Sequence, residues 1–363
     1  MSRYLISVLY KPNAVRSFID VKTFQDHALA LRDDNTIWAW GNNQYGQLGD
    51  NSTTSQLTPV QIAGTTRSYT KISAGSRHSL ALDSSGSIWA WGNNTFGQLG
   101  DNTTTSRLTP VSVIGETIYT KISAGKTHNL AIAFDNALLT WGSNIYGELG
   151  DNTNTNKSSP NVVGIDYTEI AAGHNYSLGI GNKTYAWGFN DKGQLGDNST
   201  TSQLTPVNIA GNLIFYKISA NLDFSLAIDD SRYGWAWGNN DNGQLGDNTT
   251  TSQLTPVQIY ESTITLTEIS NGNAHSLAID NTGVIWAWGK NNVGQLGDGS
   301  TADRSVPNSI YIPNVTFTKI SAGNEFSMAL DSTGKIWTWG SNSFGKLGIN
   351  AAVTESRLTP TQL

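Results

Sequence analysis

The sequence predicts an all-β protein, one closed ring of seven four-stranded antiparallel sheets, and three observations carry that prediction. A tryptophan pair closed by glycine recurs as Trp38, Trp40, Gly41, then Trp89, Trp91, Gly92, then Trp235, Trp237, Gly238, then Trp286, Trp288, Gly289 and Trp337, Trp339, Gly340. Weaker copies end in Trp141, Gly142 and Trp187, Gly188, which makes seven, and a fixed period of this length is the signature of a repeat architecture. No stretch sustains a helical spacing of apolar residues, whereas short alternating runs bounded by turn residues return in every copy. Gly occurs 37 times and Asn almost as often, a turn-rich composition.

The elements of one copy follow in order from residues 69–113. Alternation and punctuation give a first strand at 69–74, a second at 78–82, a third at 87–91 and a fourth at 108–113. Ser84, Ser85 and Gly86 make a tight hairpin between the second and third, and a long loop over 92–107 joins the third to the fourth. Residues 38–62 and 235–259 differ only by Gln44 against Asp241, Tyr45 against Asn242 and Ser52 against Thr249, so the copies arose by tandem duplication. A sheet of four short strands buries both faces only against neighbouring sheets, which favours a ring. A linear stack would need polar capping copies. Here the last copy runs straight into its fourth strand at 358–363, and the first copy begins with 18–21 in place of Tyr69, Thr70, Lys71 and Ile72. The domain reading is therefore an extension over 1–17 and one ring over 18–363.

Composition narrows the function classes. Cys is absent, which removes disulfides, thiolate metal sites and thiol nucleophiles. Only 14% of residues are charged and the net charge is -6, so no basic footprint for nucleic acid is present and no nucleic-acid partner is expected. The apolar run at 5–10 is too short for a signal-peptide core or a membrane span, so neither targeting nor membrane insertion is expected.

Four of the five histidines, His27, His78, His128 and His275, occupy one repeat position that is Tyr176, Phe224 and Phe326 in the other copies. An aromatic body is what this position requires, and equivalent positions in different blades cannot converge on one ion. His174 lies two residues earlier in its loop and is expected to be exposed. Six copies place an aspartate after Gly-x-Leu-Gly: Asp50, Asp101, Asp151, Asp197, Asp247 and Asp298. Each supplies one carboxylate followed by Asn and hydroxyl residues, which fits an Asx turn better than a calcium loop. No phosphate-binding glycine motif and no unique Ser-His-Asp set stands out. The expectations are no catalytic residue, no metal and no cofactor.

The recurring Ile-Ser-Ala-Gly-x-x-His-Ser-Leu-Ala-Leu of residues 72–82, the Trp-x-Trp-Gly-x-Asn run and the Gly-Gln-Leu-Gly-Asp run at 46–50, 97–101, 193–197, 243–247 and 294–298 resemble the regulator of chromosome condensation repeat family. The resemblance spans residues 18–363. It implies a seven-bladed β-propeller built mostly for protein contacts, whose members include an exchange factor for a small nuclear GTPase and secreted inhibitors of β-lactamase.

Antiparallel order puts the loops between strands one and two and between strands three and four on the same face. Near-identical copies make that face monotonous, so specificity should lie where the copies differ. The pair before the Gly-Gln-Leu-Gly glycine varies most, and in copies seven, one, two and three it supplies Phe344, Tyr45, Phe96 and Tyr146, an aromatic arc suited to anchoring a partner. The same side chains could instead cover their own loops. Arg77 and Lys126 in copies two and three, against Asp223, Glu325 and Asp26 in copies five, seven and one, would make the face dipolar.

The leading expectation is a non-catalytic protein-binding or structural propeller, displayed on a virion, filament or cell surface, with a cytoplasmic location as the alternative. A regulatory propeller acting as a guanine nucleotide exchange factor, or an enzyme inhibitor working through the loop face, is the competing reading. Residues 1–16 lie outside the repeat, and their apolar stretch would either latch the ring or dock it onto other structural subunits.

Overall fold

Every copy folds as a meander in which burial decides the character of each strand. In the computed structural model, which describes residues 16–64, 66–211, 213–260, 264–351 and 354–363, seven sheets each keep the strand order one, two, three, four along the chain. In the second copy these are Tyr69–Ala74, His78–Asp83, Ile88–Gly92 and Arg107–Ser112, within a residue of the expected limits. The second strand is sandwiched between neighbouring blades, so it is buried on both faces. The fourth lies at the outer edge and is half exposed, which is where Pro110 is tolerated, since an edge strand need not donate every backbone N–H.

The hairpin between strands two and three is fixed by an aspartate. Asp83 Oδ1 accepts from the backbone N–H groups of Ser85 at 2.8 Å and Ser87 at 3.1 Å, while Oδ2 accepts from the Trp89 indole at 2.8 Å. Asp229, Asp280 and Asp331 hold Trp235, Trp286 and Trp337 in the same way. The outer tryptophan of each pair is thus pinned by its own blade.

The inner tryptophan belongs to a seam. Trp91 Nε1 donates to Gln47 O of the preceding blade at 2.8 Å, and Ser79 Oγ donates to the same carbonyl at 2.8 Å. The pattern repeats with Trp237 and Ser225 on Gln194 O, Trp288 and Ser276 on Gln244 O, and Trp339 and Ser327 on Gln295 O. The glycine two residues beyond that carbonyl is obligatory. Gly49 has φ +71°, and a Cβ there would sit 2.8 Å from Trp91 Nε1.

The hydrophobic core is correspondingly divided into clusters that each bridge two blades. One joins Leu29, Ile37 and Leu48 of blade 1 to Tyr69, Ile72 and Trp91 of blade 2. Its counterpart joins Phe326, Met328 and Leu347 of blade 7 to Val21, Ala28 and Trp40 of blade 1. The last seam therefore matches the others, with Trp40 Nε1 on Lys346 O at 3.0 Å and the Thr23 N–H on Ser321 Oγ at 2.9 Å. The ring is closed, an all-β seven-bladed propeller, and among the described residues the helical content is one 3-10 turn at Ser343–Gly345.

Residues 1–15, on which the latch and docking expectations fall, lie outside the described residues. The chain is described from Arg16, which pairs with Asp34, and Ser17, whose Oγ donates to Thr333 O of blade 7 at 3.4 Å. Among the described residues no helix is long and apolar enough to cross a membrane.

Candidate functional site

The long loops that carry the candidate residues are held by their own side chains, three of them in blade 1. In blade 1, Asn43 Oδ1 accepts from the Leu48 N–H at 2.9 Å, and its Nδ2 donates to Asp50 Oδ1 at 2.9 Å. Asp50 Oδ1 also accepts from the Ser52 N–H and hydroxyl, the Asx turn expected from the sequence. Gln47 then reaches back, accepting from the Tyr45 N–H and donating to Asn42 Oδ1 at 3.1 Å. This scaffold aims the variable pair, here Gln44 and Tyr45, out of the face.

The four buried histidines take no part in the face. His27 Nε2 lies 2.9 Å from Ser79 Oγ of the next blade, and because that hydroxyl already donates to Gln47 O, the imidazole N–H is the donor. His78, His128 and His275 reach Asn129 Oδ1, Ser177 Oγ and Ser327 Oγ in the same manner. Burial holds the pKa of His27, His128 and His275 down to about 3 and that of His78 to about 4. They are seam residues, and among the described residues no group of three or more His, Asp or Glu could hold a metal ion.

Most of the expected site residues gather in one place. Phe96, Tyr146, Arg77 and Lys126 line a cavity of about 440 Å³ between the loops of blades 2, 3 and 4, with Gln25 of blade 1 at its border. Tyr45 stands beside it, with the Arg77 guanidinium 4.7 Å above its ring. Phe344 is separate, nearly half exposed on blade 7 with φ +61°. The aromatics therefore divide: Tyr45 is engaged by Arg77 and Tyr146 packs on Phe189 at 4.7 Å between centroids, whereas Phe344 is open.

Two expectations about charge are corrected. His174 is half-buried, because its loop folds into the cavity wall; burial and the neighbouring Lys126 ammonium hold its pKa down to about 3. Glu325 and Asp26 do not form a free acidic pole. Glu325 pairs with Lys290 at 3.3 Å, and Asp26 pairs with Lys346 at 3.1 Å, a lysine that is itself almost fully buried. Asp223 alone stays unpaired, and burial together with Asp191 pushes its pKa up to about 6.

Sequence reasoning passed over three residues that shape the site, each a departure from the repeat consensus. Glu148 replaces the loop glutamine in blade 3; it is buried, accepts from Ser143 Oγ at 2.8 Å and the Tyr146 N–H at 2.7 Å, and its pKa is raised by burial. Phe189 replaces the asparagine that in blades 1, 2 and 5 receives the glutamine amide, so Gln194 Nε2 is left without a partner while Phe189 braces Tyr146. Lys346 replaces the glutamine in blade 7 and donates to Asn324 O at 2.7 Å as well as to Asp26. Aligning the seven copies against one another was the signal that could have found them.

Comparison with known proteins agrees with this architecture. The RCC1-like domain family matches residues 5–216, and the regulator of chromosome condensation (RCC1) repeat matches residues 235–279, 282–330 and 333–363. The ultraviolet-B receptor UVR8 of Arabidopsis thaliana is 25% identical over 343 residues, covering 92% of this chain and 67% of the receptor. The probable E3 ubiquitin-protein ligase HERC4 of Homo sapiens is 35% identical over 106 residues, 27% of this chain and only 10% of the ligase. Among solved structures, human WBSCR16 superposes with a TM-score of 0.81 at 21% identity, covering 90% of this chain and 93% of that one. Prp20p of Saccharomyces cerevisiae, described with its binding to Gsp1p and histones, gives 0.75 at 21% identity over 86% and 82%. At these identities the superpositions carry the fold.

Proposed function

The chain belongs to the regulator of chromosome condensation repeat family, and from that premise we propose that it is a non-catalytic protein-binding propeller that receives its partner on the loop face of blades 7, 1, 2 and 3. One observation carries the reading. The residues that repeat are consumed by the seams and loop scaffolds, so the side chains free to recognise anything are those that vary, and these put Phe344, Tyr45, Phe96 and Tyr146 on four consecutive blades. Large aromatic side chains anchor protein interfaces at low entropic cost. A non-catalytic role is supported by four of the five histidines, each committed to a bond with the next blade. Prp20p, described with Gsp1p and histones, is a related ring with protein partners. Display on a virion, filament or cell surface is the finer form of the reading, and it rests on composition: 14% charged residues and abundant asparagine.

A photo-crosslinking amino acid placed in turn at Tyr45, Phe96, Phe344 and, on the opposite arc, Asn242 tests the reading in the native host extract. Discrete protein adducts from the first three positions and none from Asn242 are expected. Equal labelling at all four, or adducts at Asn242 alone, would contradict it.

A further inference from the structure

We propose that the cavity between the loops of blades 2, 3 and 4 is a socket for an acidic peptide segment of the partner, one that carries a carboxylate side chain next to a bulky apolar residue. The proposal rests on the reading above and adds the chemistry of what is bound. On a chain of net charge -6, Arg77 and Lys126 both face this cavity, and neither has an ion pair among the described residues. Two other cations on the same face are matched, Lys290 with Glu325 and Lys346 with Asp26. No aspartate or glutamate lines the cavity. The carboxylate that acts on Lys126 from outside the lining is Glu148, which is buried and has its oxygens occupied by the Ser143 hydroxyl and the Tyr146 N–H.

The two cations also work against each other. Burial and the Arg77 charge hold the Lys126 pKa below its ordinary value against the opposing pull of Glu148, so the positive charge lies in a partly desolvated place with no carboxylate in the lining. A carboxylate entering between them gains two charge-assisted hydrogen bonds and relieves that repulsion. The walls decide what accompanies the carboxylate. Phe96 and Tyr146 border the cavity with Ile145, and Phe189 holds the tyrosine ring in place at 4.7 Å, so an apolar side chain adjacent to the acid has a rigid surface to pack on. A polyanion such as nucleic acid would need a track of cations, and the cavity lining supplies two, Arg77 and Lys126.

The test uses the whole chain and a short dye-labelled peptide of alternating glutamate and phenylalanine, read by fluorescence anisotropy, with a lysine-for-glutamate peptide as the control. The acidic peptide should bind, weaken as salt is raised, and lose roughly tenfold or more in affinity with Lys126→Glu or Arg77→Glu. Lys335→Glu, on the exposed hairpin between strands two and three of blade 7 at the other end of the strands, should leave binding unchanged. The double variant Arg77→Glu with Lys126→Glu should instead take the lysine peptide, a gain that misfolding cannot produce. Failure of the acidic peptide to bind, indifference to the charge reversals, or binding of a phosphorylated peptide alone would overturn the proposal. If partner adducts form at Phe96 while the acidic peptide fails, the socket is wrong and the binding face stands. If the peptide binds while adducts appear only on the opposite arc, the reverse holds.

Discussion

His27 shows what one repeat position can tolerate. The ring is buried between two blades, gives one N–H to Ser79 Oγ, and leaves Nδ1 without a partner. Phenylalanine fills the same position in blades 5 and 7, so His27→Phe should cost no more than about 1 kcal/mol near neutral pH, the worth of one neutral hydrogen bond. Its effect should appear in acid. The folded pKa is about 3 and the unfolded value about 6.5, so above that upper value both states are neutral and the group contributes no pH dependence. As pH falls below it, the unfolded chain takes up a proton that the folded chain refuses, and stability drops by up to about 1.4 kcal/mol per pH unit for each such histidine. Thermal melts across that window should therefore show a shallower acid loss for His27→Phe than for the parent chain. Identical slopes would mean that His27 is already protonated in the folded state.

At the scale of the elements, the seam is the unit that the sequence encodes seven times. Ser79 is central to one seam, since its hydroxyl donates to Gln47 O and accepts from His27. Ser79→Ala should lower stability by about 1–3 kcal/mol, because the buried imidazole N–H is left without a partner. Ala28 holds the equivalent place in blade 1, where Lys346 O keeps its tryptophan bond without a serine. Chemical denaturation would check the value, and a loss below a few tenths of a kcal/mol would show that the seam is held by packing alone. Period, strand order and seam residues were legible in the sequence because duplication preserves whatever every blade needs. The cavity was not, because it arises where single copies depart from the consensus. Aligned copies show Glu148 and Phe189 as departures, but not that Glu148 takes up the Ser143 hydroxyl, that Phe189 packs on Tyr146, or that His174 joins the cavity lining. Lys346 is a third departure. It neutralises Asp26, which alternation and spacing left as a free acid.

For the whole molecule, the functional account depends on blade 7 meeting blade 1, because only then does Phe344 join Tyr45, Phe96 and Tyr146 on consecutive blades. The clusters and hydrogen bonds at that seam are of the same kind as at the others, with a buried ion pair added between Lys346 and Asp26. Among the described residues each terminal strand completes its own sheet, Arg357–Gln362 the last and Phe18–Thr23 the first. Spin labels on introduced cysteines measure this directly, since the chain has no cysteine of its own. Gln44 and Thr95 are equivalent exposed positions in blades 1 and 2, and Ser343 is the same position in blade 7. The Gln44–Thr95 pair supplies an internal ruler for one seam. Pulsed electron–electron resonance should give the same distance for the Ser343–Gln44 pair, and a Ser343–Gln44 distance clearly longer than the ruler would contradict both the closed ring and the binding face built on it.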